Sequence, residues 1–253
     1  MTSSFSVSSD WYKNFFVDPV VRFWDAVIPP QATETDVAFI MRHVGVAPPA
    51  AIADIACGTG RHAIALAKAG FNVTAIDTSC AALKIARAAA GHGLSLNLRR
   101  SDMLKFKPEA PVDALVCMGN SIGYFEPSLT QTLLRRFASA LRSGGRLILD
   151  TGICAESLLP LATERRLSFP GGYYEQEINY DACESIINTR AHLTINARSR
   201  ELKYRHFVMT SGELVRRLRA AGLEVLALHG NTDDAAFTLG SPRLLIVAAK
   251  PAR

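Results

Sequence analysis

The chain has 253 residues, of which 49% are hydrophobic and 20% charged. That is ordinary globular usage, and the length suits one α/β domain with an added cap rather than a disordered or fibrous chain. The longest stretch free of Asp, Glu, Lys and Arg, Ala114 to Phe125, is 12 residues, short of the roughly 18 an apolar helix needs to cross a bilayer.

In chain order, the first 45 residues read as about two helices separated around Pro29-Pro30, with an aromatic cluster from Trp11 to Trp24 that suits core packing or a lid. Ala51 to Ala56 is an apolar strand ending at a glycine turn, and a helix follows from about Arg61 to Ala69, stopped by Gly70. Phe71 to Ile76 is a second strand, ending on Asp77. An alanine-rich helix capped by Thr78 or Ser79 runs through Ala90. Leu94–Leu98 and Val112–Cys117 read as strands three and four. Pro127 opens a helix with Leu133, Leu134, Phe137 and Leu141 on one face, closed by Gly144-Gly145. Leu147 to Leu149 is strand five.

The rhythm then changes to three consecutive strands, Tyr173–Tyr180, Ser185–Ile195 and Glu201–Met209. In the middle one Ile187, Leu193 and Ile195 share one face while Asn188, Arg190 and His192 share the other, the alternation of a half-buried antiparallel sheet. Thr210-x-x-Glu213 is a capping box for a helix reaching Gly222, and two strands, Leu223–Leu228 and Leu244–Ala249, complete the pattern. The division expected is an N-terminal helical lid over 1–45, a main domain over 46–152 and 210–253, and a β cap over 153–209.

Basic residues number 28 against 23 acidic, a net charge of +5, scattered in pairs such as Arg99-Arg100 and Arg165-Arg166. Without a run of five or six, this reads as a solvated surface, so neither nucleic acid nor membrane is expected as a partner. Five cysteines without framework spacing point to reduced thiols and a cytoplasmic location. The start, Thr2-Ser3-Ser4-Phe5-Ser6, is not a basic-then-apolar leader, and without Cys-x-x-Cys or a His/Cys cluster no metal site is expected.

Asp54-Ile-Ala-Cys-Gly-Thr-Gly-Arg-His62 carries the most chemistry. Its glycines let the chain turn sharply from strand to helix and bring backbone N–H groups close to a ligand. Gly58-x-Gly60-x-x-Ala63 satisfies a dinucleotide fingerprint, so an NAD(P)-linked oxidoreductase stays open at this point. Asp77, 17 residues beyond Gly60, is placed to accept the hydroxyls of a ribose. Asp54 favours a cofactor with a cationic end over one with a pyrophosphate, because like charges repel; alternatively it caps its own turn. S-adenosylmethionine offers an α-ammonium and a sulfonium on an adenosine.

On these residues the chain resembles the class I S-adenosylmethionine-dependent methyltransferases, whose motif runs acid-x-Gly-x-Gly-x-Gly; here Ala56 stands for the first glycine. The resemblance implies a Rossmann-like α/β fold, with seven strands in the order 3-2-1-4-5-7-6, the last antiparallel. It also implies S-adenosyl-L-methionine as cofactor, with S-adenosyl-L-homocysteine as product. The cofactor contacts it suggests are Asp54 with Cys57, Gly58, Thr59, Gly60, Arg61 and His62, then Asp77 and Thr78. Asp102 and Met103 come in the adenine segment, and Met118, Gly119 and Asn120 after strand four.

Asn120-Ser-Ile-Gly-Tyr124 is similar to the Ser-Ser-Ile-Gly-aromatic segment of aminosugar N-methyltransferases and, more loosely, to glycine/sarcosine N-methyltransferases. The Asn/Asp-Pro-Pro-aromatic tetrad of amino methyltransferases acting on nucleic acid and the Pro-Cys nucleophile of cytosine-C5 enzymes are absent. The expected acceptor is therefore a small molecule, methylated on nitrogen, with oxygen or carbon as alternatives and a non-catalytic cofactor-binding regulator as a further one. Methyl transfer needs alignment above all. Tyr12, Tyr124, His206 and Glu175 are candidates for positioning or proton removal, each with an ordinary packing or surface alternative. A monomer or homodimer is expected.

Overall fold

A computed structural model describes residues 5–161 and 164–252. Residues 1–4, where most of the leader reading falls, and residues 162 and 163 of the expected cap lie outside them. Three N-terminal helices form rather than two: α1 (Tyr12–Phe15), α2 (Asp18–Val27) and α3 (Pro30–His43). Pro30 opens α3, where its fixed φ costs nothing. The main sheet then begins with β1 (Ala51–Ile55), followed by α4 (Arg61–Lys68), β2 (Asn72–Asp77) and α5 (Cys80–Ala90). Next come β3 (Leu96–Arg100), β4 (Val112–Cys117), α6 (Pro127–Ala140) and β5 (Leu141–Thr151). These five strands pair in parallel, the geometry that helical crossovers impose.

Beyond β5 come a short helix, α7 (Ala155–Leu158), and a separate antiparallel sheet of four strands: β6 (Glu164–Phe169), β7 (Gly172–Asp181), β8 (Ile186–Ile195) and β9 (Arg198–Phe207). The chain returns through α8 (Ser211–Ala220) and β10 (Glu224–His229) to β11 (Leu244–Ala249), which lies antiparallel between β5 and β10. The order β10-β11-β5-β4-β1-β2-β3 is the expected seven-stranded arrangement, and the small antiparallel sheet is the expected addition to it.

Period-two alternation divides the core in two. Ile52, Ala114, Val116, Ile148, Leu245 and Val247 pack under α3, α4 and α5. Ala53, Ile55, Leu115, Leu147, Leu149 and Ile246 face α6 and α8, and the N-terminal aromatics join that second cluster. Both start signals on the caps are present: Ser79 Oγ accepts the Ala82 N–H and Thr210 Oγ1 accepts the Glu213 N–H, each at 3.1 Å.

Two expectations are corrected. Gly144-Gly145 does not close α6, which ends at Ala140; both glycines lie inside β5, bonded across to Lys250. A Cβ on Gly145 would stand 2.9 Å from the Arg142 carbonyl oxygen and 3.0 Å from that of Asp113, so close strand approach requires glycine there. The cap has four strands, because β6 pairs along Glu164 to Phe169 despite its charged start. Among the described residues no helix is long and apolar enough to cross a membrane.

Candidate functional site

The glycine turn joins β1 to α4 with left-handed backbone at Ala56 (φ 57°), Gly58 (57°) and Gly60 (76°). The two glycines are required for different reasons. A Cβ on Gly58 would meet nothing within 4 Å, since the loop is open there, whereas one on Gly60 would stand 3.0 Å from the Ala86 Cβ of α5. Ala56 adopts the conformation a glycine would take freely.

Asp77, at the end of β2, fastens the turn. Its carboxylate accepts the Gly58 N–H at 2.9 Å and the Ser79 N–H at 2.8 Å. Burial nonetheless raises its carboxyl above the ordinary range, those backbone donors opposing. Asp54 is 1% exposed, and its Oδ2 is buried without a hydrogen-bond partner among the described residues. Burial pushes its carboxyl up to about 7, with the Arg61 charge opposing and the Asp77 charge adding. The carboxyl of Asp54 therefore titrates well above the ordinary range, in spite of the Arg61 charge.

Above the turn lies a cavity of about 720 Å³. Cys57, Gly58, Thr59, Arg61 and His62 line it from the turn, Asp77, Thr78 and Met103 from the ends of β2 and β3, and Met118, Gly119 and Asn120 from beyond β4. Tyr12, Tyr124 and His206 line the opposite part. Four expected residues are not on the lining. Asp54 is buried near the end of β1 without reaching the cavity surface, and Gly60 is turned to α5. Asp102 accepts the Tyr12 hydroxyl at 2.9 Å and the Leu104 N–H at 2.9 Å. Glu175 lies away from the cavity, on the cap, paired with Arg166 at 2.7 Å.

The far wall is aromatic. Trp11 meets Tyr124 edge-on at 4.9 Å, Tyr12 stacks on Tyr124 at 5.9 Å, and His206 packs against Trp11, Tyr124 and Tyr204 at 5.8, 5.5 and 5.6 Å. Burial raises both Tyr12 and Tyr124, Asp102 adding to the rise at Tyr12, and lowers His206 to about 4. All three side chains are thus neutral at pH 7, and Trp11 Nε1 has no hydrogen-bond partner among the described residues.

A charged network that the sequence reading missed braces the near wall. Asp36 of α3, 1% exposed, takes Arg61 at 2.9 Å, His62 at 3.0 Å and Arg243 at 2.8 Å. Arg243 also bonds Asp150 at 2.7 Å, and Asp150 accepts the Gly119 N–H at 2.9 Å. Burial alone would raise Asp36, but the His62 hydrogen bond and the Arg243 and Arg61 charges hold its carboxyl well below the usual range. His62 is lowered, chiefly by burial. A signal existed: Asp36 stands in register with Phe39 and Ile40, a carboxylate within the apolar stripe of α3. Thr59 adds a link to α2, donating to Asp25 at 2.7 Å.

Residues 52–145 match the family described as methyltransferase domain. The chain is 31% identical over 147 residues to a glycine/sarcosine N-methyltransferase of Aphanothece halophytica, covering 56% of each, and 28% identical over 167 residues to glycine N-methyltransferase of Homo sapiens, covering 56% of this chain and 54% of that one. It therefore spans about half the length of these curated relatives. Among solved structures, the CcbJ methyltransferase from Streptomyces caelestis superposes with a TM-score of 0.82 at 16% identity, covering 95% of this chain and 99% of that one. The sugar N-methyltransferase KedS8 from Streptoalloteichus gives 0.72 at 20% identity, covering 99% and 98%. Residues 52–145 are thus similar to the methyltransferase-domain family, and the whole chain has the Rossmann-like fold of these solved methyltransferases.

Proposed function

We propose that this chain transfers a methyl group from S-adenosylmethionine to a nitrogen of a small molecule held in the aromatic half of its cavity. One observation carries the reading: a buried acid, Asp54, and a half-buried one that lines the cavity, Asp77, flank a glycine turn that opens on a cavity of about 720 Å³. That volume falls within the roughly 300–1,000 Å³ of small-molecule sites.

The residues present fit the cofactor. Gly58 and Gly119 leave open space where a side chain would intrude, and the unpartnered Asp54 oxygen suits a nearby positive group. Asp77 would take the ribose hydroxyls, Asp54 the charge of the amino-acid end, and Met103 and Met118 the adenine side. Bound there, S-adenosylmethionine supplies a methyl carbon activated by a sulfonium. The chain's own part is to align and to exclude water: Trp11, Tyr124, Tyr204 and His206 form an apolar wall that positions an acceptor and strips its solvent. The neutral tyrosines and a histidine near 4 are poor bases at neutral pH. Such a wall suits an amine, which attacks through its own lone pair, better than a hydroxyl. N-methylation in the printed names of the similar enzymes supports the same choice. In this reading residues 1–45 and 153–209 cover the acceptor, over a cofactor floor formed by 46–152 and 210–253.

Incubation with labelled S-adenosylmethionine and a fractionated metabolite extract tests the reading. The expected product is a small amine heavier by one methylene per transfer. Tight binding of NAD(P) with no response to S-adenosylmethionine would replace the reading with the oxidoreductase alternative. Binding of S-adenosylmethionine without any methylated product would leave a regulator.

A further inference from the structure

On the α3 side of the sheet, at its β10 edge, three residues far apart in the chain converge. His43 ends α3, His229 ends β10, and Asp234 lies in the β10–β11 connection with a left-handed φ of 64°. His43 Nε2 is 2.7 Å from Asp234 Oδ1, and His229 Nδ1 is 3.9 Å from the same oxygen. One nitrogen from each imidazole and one carboxylate oxygen all lie within 4.8 Å of one another. None of the three lines the cavity.

An ordinary His–Asp ion pair accounts for His43 but not for His229. Both ring nitrogens of His229 are buried and without a hydrogen-bond partner among the described residues, an arrangement proteins avoid because the lost hydration is not replaced. The surroundings resemble those of a ligand set. Arg42 Nε holds the other Asp234 oxygen at 3.1 Å, which directs Oδ1 toward the imidazoles, as outer partners of metal-binding carboxylates do. Phe39 packs against both rings, at 4.4 and 5.4 Å, and forms an apolar backing. Asp234 is exposed, so the outer side is open to water.

We propose that His43, His229 and Asp234 bind a divalent transition-metal ion of the zinc type, two imidazole nitrogens and one carboxylate oxygen being completed by water. The ion takes a lone pair that His229 otherwise leaves unused, and it clamps the end of α3 to the β10–β11 connection. The same two segments meet again at the cavity, where Asp36 of α3 pairs with Arg243 just before β11 at 2.8 Å. The clamp thus holds from outside the two segments whose charges brace the near wall. This inference stands independently of the methyltransferase reading, because it is read by metal binding alone.

The test is calorimetric titration of zinc chloride into the untagged chain in a non-coordinating buffer, in a background where the exposed Cys80 and Cys183 are serine. One equivalent should bind with micromolar affinity or tighter and raise the melting temperature. Asp234→Asn and His229→Gln should each weaken binding by roughly tenfold or more, while His92→Gln, at an exposed site elsewhere, should leave it unchanged. Asp234 lies on an exposed loop, so its variant carries the comparison if the buried His229 variant fails to fold. Absence of saturable uptake, or binding that Asp234→Asn leaves intact, overturns the assignment.

Discussion

Under the proposed function, the buried acid beside the glycine turn makes S-adenosylmethionine binding a pH-dependent event. With its carboxyl near 7, against an ordinary 3.8, Asp54 is largely protonated in the free protein at pH 6. A bound ammonium or sulfonium favours the ionised form, so the proton must leave as the cofactor enters. Below pH 7 the apparent affinity for S-adenosylmethionine should then fall by about tenfold per pH unit, and binding at pH 6 should release about one proton. The same displacement sets a stability cost. The folded chain binds the Asp54 proton more tightly than the unfolded chain does, so stability falls as pH rises from 3.8 to about 7. A shift of about three units is worth about 4 kcal/mol, fully felt above pH 7. Asp54→Asn removes the charge but leaves an unpaired amide costing about 1–3 kcal/mol, so the free variant should gain roughly 2 kcal/mol at pH 8. It should also bind S-adenosylmethionine more weakly, with little dependence on pH. Calorimetry in buffers of different ionisation enthalpy measures the proton release, and chemical denaturation measures the stability. Affinity that stays flat from pH 8 to pH 5.5, with no proton released, would refute the reasoning.

Three further outcomes are expected. Asp77→Ala should weaken S-adenosylmethionine binding by an order of magnitude or more in calorimetry, through loss of a charged hydrogen-bonding pair and of the fastening of Gly58. Ala56→Gly should raise stability by roughly 0.5 kcal/mol: relief of left-handed strain, about 1–2 kcal/mol, is partly offset by the greater freedom of glycine in the unfolded chain; a fall in the denaturation midpoint would contradict it. Tyr124→Phe should lower turnover with little change in cofactor affinity, since Tyr124 belongs to the aromatic wall; equal turnover would remove its hydroxyl from the site.

What the sequence made legible follows the range of the interactions. The strands of the main sheet are short apolar runs between glycines and caps, so their number and alternation with helices can be read locally. β6 escapes because Glu164-Arg165-Arg166 looks like a solvated loop; as an edge strand it needs only one partner, and its charged side chains remain at the surface. The glycine turn and Asp77 are legible because they share one strand–turn–helix–strand unit. Asp36 and Arg243 are 207 positions apart, and only the assembled sheet and α3 bring them together. Asp102 was located by its place after the third strand, but its bond to Tyr12 depends on how the N-terminal segment folds over the cavity.

The cap leaves and rejoins the chain at one point. Cys154 and Met209 form a bridge, and the Ala155 N–H donates to the Met209 carbonyl at 3.0 Å, so everything between them is an excursion with its ends stitched together. Tyr204 and His206 ride on that excursion, whereas the glycine turn, Asp54 and Asp77 belong to the frame below it. A different hairpin grafted between the same two anchors would exchange part of the chamber's ceiling while the glycine turn below kept its bonds. Under the proposed function, recognition of the guest and retention of the methyl carrier are therefore separable by chain surgery at a single seam.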